Sequence, residues 1–589
     1  MELLSVIAIS LIAAILNSFH VIIQWMANKP GETFTGIAHS FADYFLYVGA
    51  MAQGAAGRWI WAEHLFTNEP MKPTWYYWFY VSLGHIGSWM HLSSFATYNV
   101  SLIIFVFLLC LTWYHLAITL NPTSKLLRLT SWMIILTTTS FFSLKRSHLL
   151  RLDGVELLGQ FWFSPSPVFA RLGGVPYHAL QSIIFVLLAI IFSRLIHQKS
   201  ITQGSKLSHG NMLSWFFTQL IHRPTSSLVI GNLKLVILAA IAASANPVQM
   251  MVFGASAMLT VGRAAQGSWS RRGEVIGLLL AAGGAGAMLS NLEFSRQAVF
   301  SAARVWELAQ EVSHSLPVLL LSIGPVLLLL PFGLQKVMRE RNVLPTVLVI
   351  WGLLSFVLFL SPIPRLMGLS PVRFLHPVPY AASLAILGTE GLVVLSALLH
   401  QCMKRWVSKE SIFAGLLTLY FFLTIPSVSR QFIDRITPAR NPQLLMDTMY
   451  NHVPAPIVEA LSWLKNQNPD VRAYDTPGVE HARTCGICNI VVLTDPAIPI
   501  EVLVSVFTGL PSFSGHPIHT LYPDVKEAKR QEFFRGKMNE EETKQFLKDH
   551  RIGYIITTTK PSSVFLKSLS FIKEIYQNTT ITIYQPANK

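Results

Sequence analysis

The residues best suited to chemistry lie in the long polar segment that follows the first hydrophobic stretch of the chain. Asp43 opens an aromatic, half-apolar run in this segment, and Glu69 lies in the turn Phe66-Thr-Asn-Glu-Pro70 that closes it. A carboxylate within hydrogen-bond reach of a hydroxyl group can act as a general base. We therefore predict that Asp43 is catalytic and that Glu69 contributes a second acid to the same site.

Asp43 also has a structural explanation. Ser40-Phe-Ala-Asp43 has the spacing of a capping box, in which the acid lies near the positive end of a helix. The residues that recur at helical spacing after it, the pattern of an interfacial amphipathic helix, are Tyr44, Tyr47, Val48, Met51, Ala55 and Trp59. The two interpretations are compatible, because a helix terminus is a rigid position for a base. Glu69 has its own alternative as a solvated loop residue.

A second polar segment carries charges of both signs. Arg146 and Arg151 precede Asp153 and Glu156 in it. The two acids could orient a sugar or hold a divalent cation through oxygen ligands, or they could belong to a charged lid. The two arginines suit phosphate recognition, although basic residues near the ends of membrane spans also extend to the interface.

Two further arginines lie in a proline-rich segment closer to the C-terminus. Arg365 follows Pro364, and Arg373 lies within Pro371-Val-Arg-Phe. The guanidinium group makes bidentate contacts to phosphate, so we predict that both arginines bind a phosphate, with membrane lipid phosphates as the alternative partner. No two histidines near Asp43 have the spacing of a metal-binding helix, and the metal site stays unknown.

The composition shows where this chemistry would occur. Of the 589 residues, 52% are hydrophobic and only 13% are charged, whereas soluble globular proteins carry about 25% charged residues. The chain is therefore predicted to be an integral membrane protein with about eleven helical spans. The spans lie near 3–26, 96–119, 130–144, 178–196, 226–245, 247–262, 274–291, 315–333, 344–361, 376–400 and 411–427.

Basic residues account for the formal charge of +15, and they cluster in alternate short loops between spans, as the positive-inside rule expects. This distribution gives no indication of nucleic-acid binding. It predicts a multi-pass protein of the cytoplasmic membrane with its N-terminus inside, and it places outside both the C-terminal tail and two large loops, residues 27–95 and 145–177. Arg146 and Arg151 lie on the outer side, where they either contradict this topology or bind an anion.

The predicted fold class is a polytopic α-helical membrane protein with a small C-terminal α/β soluble domain. Residues 1–427 form the membrane-embedded domain, and residues 428–589 form the extracytoplasmic α/β domain. In the second domain a helix from about Pro454 and an amphipathic helix over Asn539–His550 alternate with strand-like runs, which indicates an α/β arrangement. These runs are Val471–Tyr474, Ile490–Thr494, Ile552–Thr558 and Thr580–Tyr584.

This layout resembles that of the GT-C superfamily of membrane glycosyltransferases, the mannosyltransferase-like and lipid A aminoarabinose transferase-like enzymes of bacteria. The segments that carry the resemblance are Asp43-Tyr44, Gln53-Gly-Ala-Ala-Gly57-Arg-Trp59, Phe66-Thr-Asn-Glu69-Pro70, Pro371-Val-Arg-Phe374, Phe507-Thr-Gly-Leu-Pro511, Ser514-Gly-His516 and Phe533-Phe-Arg-Gly-Lys537-Met. Many members carry a pair of adjacent acids in the first outer loop, whereas in this chain Asp43 is followed by Tyr44.

The resemblance implies that a sugar is transferred, with inversion, from a polyprenyl-phosphate donor to a lipid, glycan or protein acceptor on the outer face of the membrane. One base suffices for this chemistry, because the leaving group is already a phosphate. Asp43 would take the proton of the acceptor hydroxyl, and Arg365, Arg373, Arg146 or Arg151 would offset the charge of the departing phosphate. No cofactor is implied with certainty, and a divalent cation stays open.

Two other functions compete with this one. The first is a non-catalytic membrane scaffold or binding protein in the assembly of cell-envelope polysaccharide. The second is a transporter of lipid or polysaccharide, which would place polar groups on broken helices near the middle of the bilayer. The predicted spans are nearly free of acids, and acids gather instead in the outer loops. This distribution favours a surface active site over a conduction path.

Overall fold

The computed structural model of the chain describes residues 2–61, 65–69, 71–140, 167–197, 227–263, 269–309, 316–403, 405–437, 450–468, 490–498, 500–557 and 560–587. The chain folds into two compact units. The first, which we call the helical unit, comprises Met1–Asn17, Ile104–Leu292 and Gln310–Asp434. The second, which we call the mixed unit, comprises Ser18–Ile103, Glu293–Ala309 and Arg435–Lys589. The domain boundary predicted at residue 428 stays a prediction.

Seven helices of the described part are long and apolar enough to cross a membrane. They are Glu2–Met26, Ser94–Leu120, Pro176–His197, Arg271–Ser295, Val343–Leu360, Pro377–Met403 and Lys409–Ile436. Their lengths of 18 to 28 residues match a hydrocarbon layer of roughly 30 Å at 1.5 Å per residue. The chain is therefore an integral membrane protein, as predicted.

The other four predicted spans overlap helical segments that are not among these seven. These are Lys125–Thr137, Ser227–Ala245, Pro247–Arg263 and the run formed by Leu316–Ile323, the 3-10 segment Gly324–Leu329 and Leu330–Glu340. Proline at the start of each of the last two segments explains why that run is not one regular helix, because proline lacks the backbone donor that a continuous helix needs. The remaining helices that the structure describes before residue 437 are Phe41–Ala55, Trp78–Trp89, Val168–Leu172, Ala298–Ala309 and Ile363–Leu366, with the 3-10 turn Pro371–Phe374.

All strands in the described part belong to the mixed unit. They are β1 (Glu32–Phe34), β2 (His452–Pro454), β3 (Val491–Thr494), β4 (Ile552–Thr557), β5 (Ile572–Gln577) and β6 (Thr582–Pro586). β1 and β2 pair antiparallel, and the other four form a sheet in the order β3-β4-β6-β5. Only β3 and β4 run parallel.

Five helices of the described C-terminal residues accompany this sheet: Ala455–Gln467, Glu501–Thr508, Pro523–Phe534, Glu540–Asp549 and Lys560–Ser568. The core between helices and sheet is aromatic and aliphatic, with Phe513, Phe533 and Ile555 at most 1% exposed. The small α/β fold predicted for the C-terminal part is thus confirmed. The predicted strand Val471–Tyr474 lies outside the described residues.

β5 was not predicted from the sequence. Its residues, Ile-Lys-Glu-Ile-Tyr-Gln, are half polar, and only Ile572 is buried. The strand lies at the edge of the sheet next to β6. Edge strands commonly carry charged side chains, which weaken the hydrophobic pattern on which strand prediction relies.

Two helices of the mixed unit approach each other closely enough to require glycine. Phe41–Ala55 packs antiparallel on Trp78–Trp89, and a methyl group added at Gly84 would overlap the carbonyl oxygen of Met51. A methyl group at Gly54 would overlap the carbonyl oxygen of Val81 in the same way. The absence of side chains at these two positions therefore sets the distance between the helices, and Phe41–Ala55 is the helix that carries Asp43.

Replacing Gly84 by alanine is expected to push these helices apart and to destabilise the mixed unit, since overpacking of this kind costs about 1–3 kcal/mol. Gly415→Ala is the matched control, because a methyl group at this helix position meets nothing within 4 Å. Thermal unfolding in detergent should show a lower midpoint for Gly84→Ala and not for Gly415→Ala. Equal midpoints for the two variants would contradict the close approach.

Candidate active site

Asp43 lies in the first turn of the helix Phe41–Ala55, near its positive end. Its side chain is 30% exposed, whereas the helix itself is largely buried, with Tyr44, Val48 and Met51 fully inaccessible. Ser40 occupies the cap position but makes no side-chain hydrogen bond to the helix. The reciprocal capping box predicted from the spacing is therefore not formed by Ser40.

The helix also differs from the predicted interfacial one. Most of its residues are buried within the mixed unit, and it ends at Ala55, so Trp59 lies beyond it. Gly57 adopts a φ of +92° just after the helix, a left-handed conformation that favours glycine. Trp59 is 74% exposed and stacks on His85 at 3.9 Å between ring centroids. Packing on the helix Trp78–Trp89 explains the burial.

His516 faces Asp43. The imidazole is 1% exposed, and its Nε2 atom lies 3.3 Å from Oδ1 of the carboxylate. The alignment is not that of a hydrogen bond, and Nε2 has no hydrogen-bond partner elsewhere among the described residues. Asp43 is thus the polar group that Nε2 meets, at a separation typical of catalytic contacts before substrate tightens them.

Backbone pairing brings His516 to this position. The amide of Ser512 donates to the carbonyl of Leu65 at 2.9 Å, and that of Gly515 donates to the carbonyl of Phe66 at 3.1 Å. Thr67 and Ser514 form an antiparallel bridge. The end of the predicted first loop is therefore fixed to the segment that precedes His516.

His39 is a second histidine that interacts with Asp43. Its Nε2 shares a 2.6 Å hydrogen bond with the Tyr98 hydroxyl, and its ring packs against Tyr47 at 5.8 Å. Desolvation lowers the pKa of His39 to about 4, a shift that the Asp43 carboxylate opposes and the Arg435 guanidinium reinforces. His39 is therefore neutral at physiological pH.

Arg435 is held in this position by a second histidine. Its Nε donates to Nδ1 of His20 at 3.3 Å, while Nε2 of His20 donates to the carbonyl of Ala38 at 2.8 Å. The arginine is thereby tied to the segment that leads into His39. The guanidinium group of Arg435 therefore places a fixed positive charge near His39.

The segment before His39 is anchored by a buried asparagine. Asn451 accepts a 2.6 Å hydrogen bond from the amide of Ile37 through Oδ1, and its carbonyl accepts from the amide of Thr35 at 3.0 Å. Its Nδ2 donates to Gln24. Since Asn451 is 0% exposed, these hydrogen bonds form away from water and fix the path of the chain toward Asp43.

Glu69 makes contacts of a different kind. Its Oε2 accepts from Nζ of Lys526 at 2.7 Å and from the hydroxyl of Thr67, and Nζ also donates to Thr67 at 3.0 Å. The Lys526 side chain is 5% exposed, and desolvation lowers its pKa although Glu69 opposes that shift. These contacts are those of an ion pair that joins the loop to the α/β part of the mixed unit.

The other predicted site residues lie in the helical unit or outside the described residues. Arg365 lies in the helix Ile363–Leu366, and Arg373 lies in the 3-10 turn Pro371–Phe374. Nε2 of Gln249 donates to the carbonyl of Arg373 at 2.7 Å, which fixes the backbone of this turn. Asp153, Glu156, Arg146 and Arg151 fall within 141–166, which is not among the described residues.

The described residues contain no group of three or more histidine, cysteine, aspartate or glutamate side chains arranged to hold a metal ion. What they do contain is the Asp43 carboxylate, which is 30% exposed and faces His516, and His39, on which the charges of both Asp43 and Arg435 act. Sequence reasoning named Asp43 but assigned no role to His39, Arg435 or Asn451. It noted Ser514-Gly-His516 only as a motif, since a partner so remote in sequence leaves no spacing signal near Asp43.

No protein-family model matches the chain, and no curated protein matches it. Among solved structures, the archaeal oligosaccharyltransferase AglB from Archaeoglobus fulgidus, in complex with an inhibitory peptide and a dolichol-phosphate, is 13% identical, with 94% of this chain and 69% of that chain covered and a TM-score of 0.46. The apo form gives 12% identity, the same coverage and a TM-score of 0.49. ArnT from Cupriavidus metallidurans bound to undecaprenyl phosphate gives 11% identity, coverage of 99% and 97%, and a TM-score of 0.45.

Identities of 11–13% and TM-scores below 0.5 do not assign the roles of individual residues. The site is therefore argued from its own contacts.

The Glu69–Lys526 pair is expected to stabilise the protein, and a double-mutant cycle measures this. Glu69→Gln, Lys526→Met and the double variant should show a coupling of about 1–3 kcal/mol in denaturant unfolding, because a buried charged hydrogen bond is broken. The exposed pair Glu540–Lys544 is the control and should show no measurable coupling. Additive effects of the Glu69 and Lys526 substitutions on stability would contradict a stabilising ion pair between these two residues.

His39 should make the stability of the protein depend on pH. Its folded pKa of about 4 lies below the unfolded value of 6.5, so the unfolded chain binds more protons between these two values. The contribution of neutral His39 to the free energy of unfolding is complete above pH 6.5. It is lost as the pH falls toward 4, by about 1.4 kcal/mol per pH unit. The stability difference between wild type and His39→Gln should therefore shrink from pH 7 to pH 5. A stability difference that stays constant from pH 7 to pH 5 would contradict the lowered pKa of His39.

Proposed function

We propose that the protein is an inverting glycosyltransferase that moves a sugar from a polyprenyl-phosphate donor to an acceptor at the outer face of the membrane. The observation that supports this proposal is the Asp43 carboxylate, which is 30% exposed and faces the buried His516 imidazole. The charge of Arg435 acts on His39, on which Asp43 also acts. An accessible carboxylate in a rigid polar setting is suited to accept a proton from a bound hydroxyl group.

In the proposed reaction the acceptor hydroxyl loses its proton to Asp43 while its oxygen forms a bond to the anomeric carbon of the sugar. The bond between that carbon and the phosphate oxygen breaks, and its electron pair leaves with the polyprenyl phosphate. Attack on the face opposite the phosphate inverts the configuration. No acid has to protonate the leaving group, in contrast to the carboxylate pair of a glycosidase, which is why one base is sufficient.

The charge on the departing phosphate needs compensation, and we propose Arg365 and Arg373 for this role, since guanidinium groups pair with phosphate through two hydrogen bonds. Arg146 and Arg151 are candidates for the same role, and Asp153 and Glu156 for orienting the sugar. The donor class comes from the sequence resemblance. Dolichol-phosphate and undecaprenyl phosphate, which occur in the solved structures named above, are lipid phosphates of this class.

Asp43→Asn tests the proposal. Purified protein in proteoliposomes would be supplied with a panel of undecaprenyl-phosphate monosaccharides as donors and a membrane lipid and glycan extract as acceptor. Loss of the base should lower turnover by about 10²–10⁴-fold, whereas the affinity for undecaprenyl phosphate should stay unchanged. Asp524→Asn is the control, because Asp524 is an exposed acid in the first turn of another helix, and this variant should keep full turnover.

Transfer by Asp43→Asn at the wild-type rate would contradict the role of Asp43 as the base. Binding of undecaprenyl phosphate without transfer by the wild-type protein, for every donor of the panel, would support the scaffold instead. Movement of the donor lipid across the vesicle membrane without a new glycosidic bond would support a transporter.

A further inference from the structure

We infer that His516 is the positioning residue of the Asp43 carboxylate: it presents an N–H group to one carboxylate oxygen. This inference rests on the proposed function, because it assigns a partner to the proposed base. It extends that function to the α/β part of the mixed unit, which supplies His516. The supporting observations concern the tautomer of the ring, the rigidity of its segment and the direction of Nε2.

The tautomer of His516 follows from the hydrogen bonds of its other ring nitrogen. Nδ1 accepts from the backbone amides of Ile518 and His519, both at 3.0 Å. An atom that accepts two N–H groups presents its lone pair to them and carries no hydrogen. In the neutral imidazole the hydrogen is therefore on Nε2, the atom that lies 3.3 Å from Oδ1 of Asp43.

The same hydrogen bonds exclude a role as proton relay. A relay histidine takes a proton on one nitrogen and releases one from the other, and for His516 this would require a hydrogen on Nδ1. Nδ1 faces two amide donors, which would then point at another N–H group. His516 can donate toward Asp43, but it is not arranged to pass on the proton that Asp43 receives.

The segment that carries His516 is rigid. The hydroxyl of Thr520 accepts from the amides of Gly515 and His516 at 3.2 and 3.0 Å and donates to the carbonyl of Phe66 at 2.8 Å. A methyl group at Gly515 would lie 3.1 Å from Cα of Phe66, so the two segments are in close contact. The imidazole also packs edge-on against Phe66 and His519. These contacts fix the ring and the direction of its Nε2–H bond.

This arrangement orients the base. Nε2 lies 3.3 Å from Oδ1 without the alignment of a hydrogen bond, and a small rotation of the carboxylate as substrate binds would align the two groups. The resulting N–H donor at one oxygen then restricts further rotation of that carboxylate. The accessible part of the Asp43 side chain then keeps one direction toward the acceptor. Misplacement of a catalytic group by about 1 Å can lower a rate by 10²-fold, so the loss of this contact should appear in turnover and not in donor binding.

Two variants of His516 distinguish orientation of the Asp43 carboxylate by an N–H donor from packing of the His516 side chain. His516→Gln keeps an N–H donor at a similar distance from the backbone, and His516→Met keeps the bulk without the donor. We expect His516→Met to lower kcat by about 10–100-fold with an unchanged KM for the donor, and His516→Gln to restore most of the turnover. The assay is the proteoliposome assay with the undecaprenyl-phosphate monosaccharide that gives the highest turnover.

His85→Met is the matched control. His85 is a histidine of the same unit whose Nε2 donates to the carbonyl of Arg58 at 2.8 Å, and its loss should leave kcat unchanged. Thermal unfolding of each variant in detergent shows whether it is folded. If His516→Met fails to fold, His516→Gln combined with Asp43→Glu keeps the test: the longer acid shifts the carboxylate from its partner, and turnover should fall although both groups are present.

The results distinguish the role of His516 in positioning Asp43 from the role of Asp43 as the base. Loss of turnover in Asp43→Asn together with wild-type kcat in His516→Met would overturn the positioning role and leave the proposed function intact. Equal loss of kcat in His516→Gln and His516→Met would also overturn it, because the N–H donor would then not matter. Wild-type turnover in Asp43→Asn would overturn the proposed function itself.

Discussion

Backbone pairing between residues 65–67 and residues 512–520 is the interaction on which the candidate site depends. It joins distant parts of the chain, since Phe66 and Thr520 are 454 residues apart in the sequence. The same pairing turns His516 toward Asp43. Its hydrogen bonds join backbone groups and small hydroxyl side chains, and those of the Thr520 hydroxyl are buried. Buried backbone donors that lose their acceptors cost about 1–3 kcal/mol each, so this contact resists local opening.

The electrostatics of the site follow from the same arrangement. The Asp43 carboxylate faces the His516 imidazole and acts on His39, a histidine that desolvation keeps neutral and that the charge of Arg435 also influences. A third histidine, His20, holds Arg435 in place. Glu69 differs from Asp43 because its carboxylate is engaged by Lys526 and Thr67. Asp43 and Glu69 therefore have different surroundings.

The sequence revealed the parts of this structure that depend on local pattern. Long apolar runs located the helices that cross the membrane, and alternation of strand-like and helical runs indicated the C-terminal α/β fold. Asp43 stood out because it is an acid at the start of an aromatic helix. The partners of Asp43 could not be predicted, since hydrogen bonds between Asn451 and Ile37 or between Arg435 and His20 join residues with no shared spacing. Arg435 in particular lies within the predicted second domain, and no spacing in the sequence links it to His39.

The central claim is that Asp43 is the base that receives the acceptor proton, and a structure with both substrates bound tests it most directly. The complex would contain a polyprenyl-phosphonate sugar, which cannot be cleaved, together with an acceptor found by the transfer assay. The account predicts the acceptor hydroxyl within about 2.6–3.2 Å of a carboxylate oxygen of Asp43, with the anomeric carbon on the far side of that hydroxyl. A sugar bound elsewhere, with Asp43 beyond the reach of one bridging water, would contradict the account.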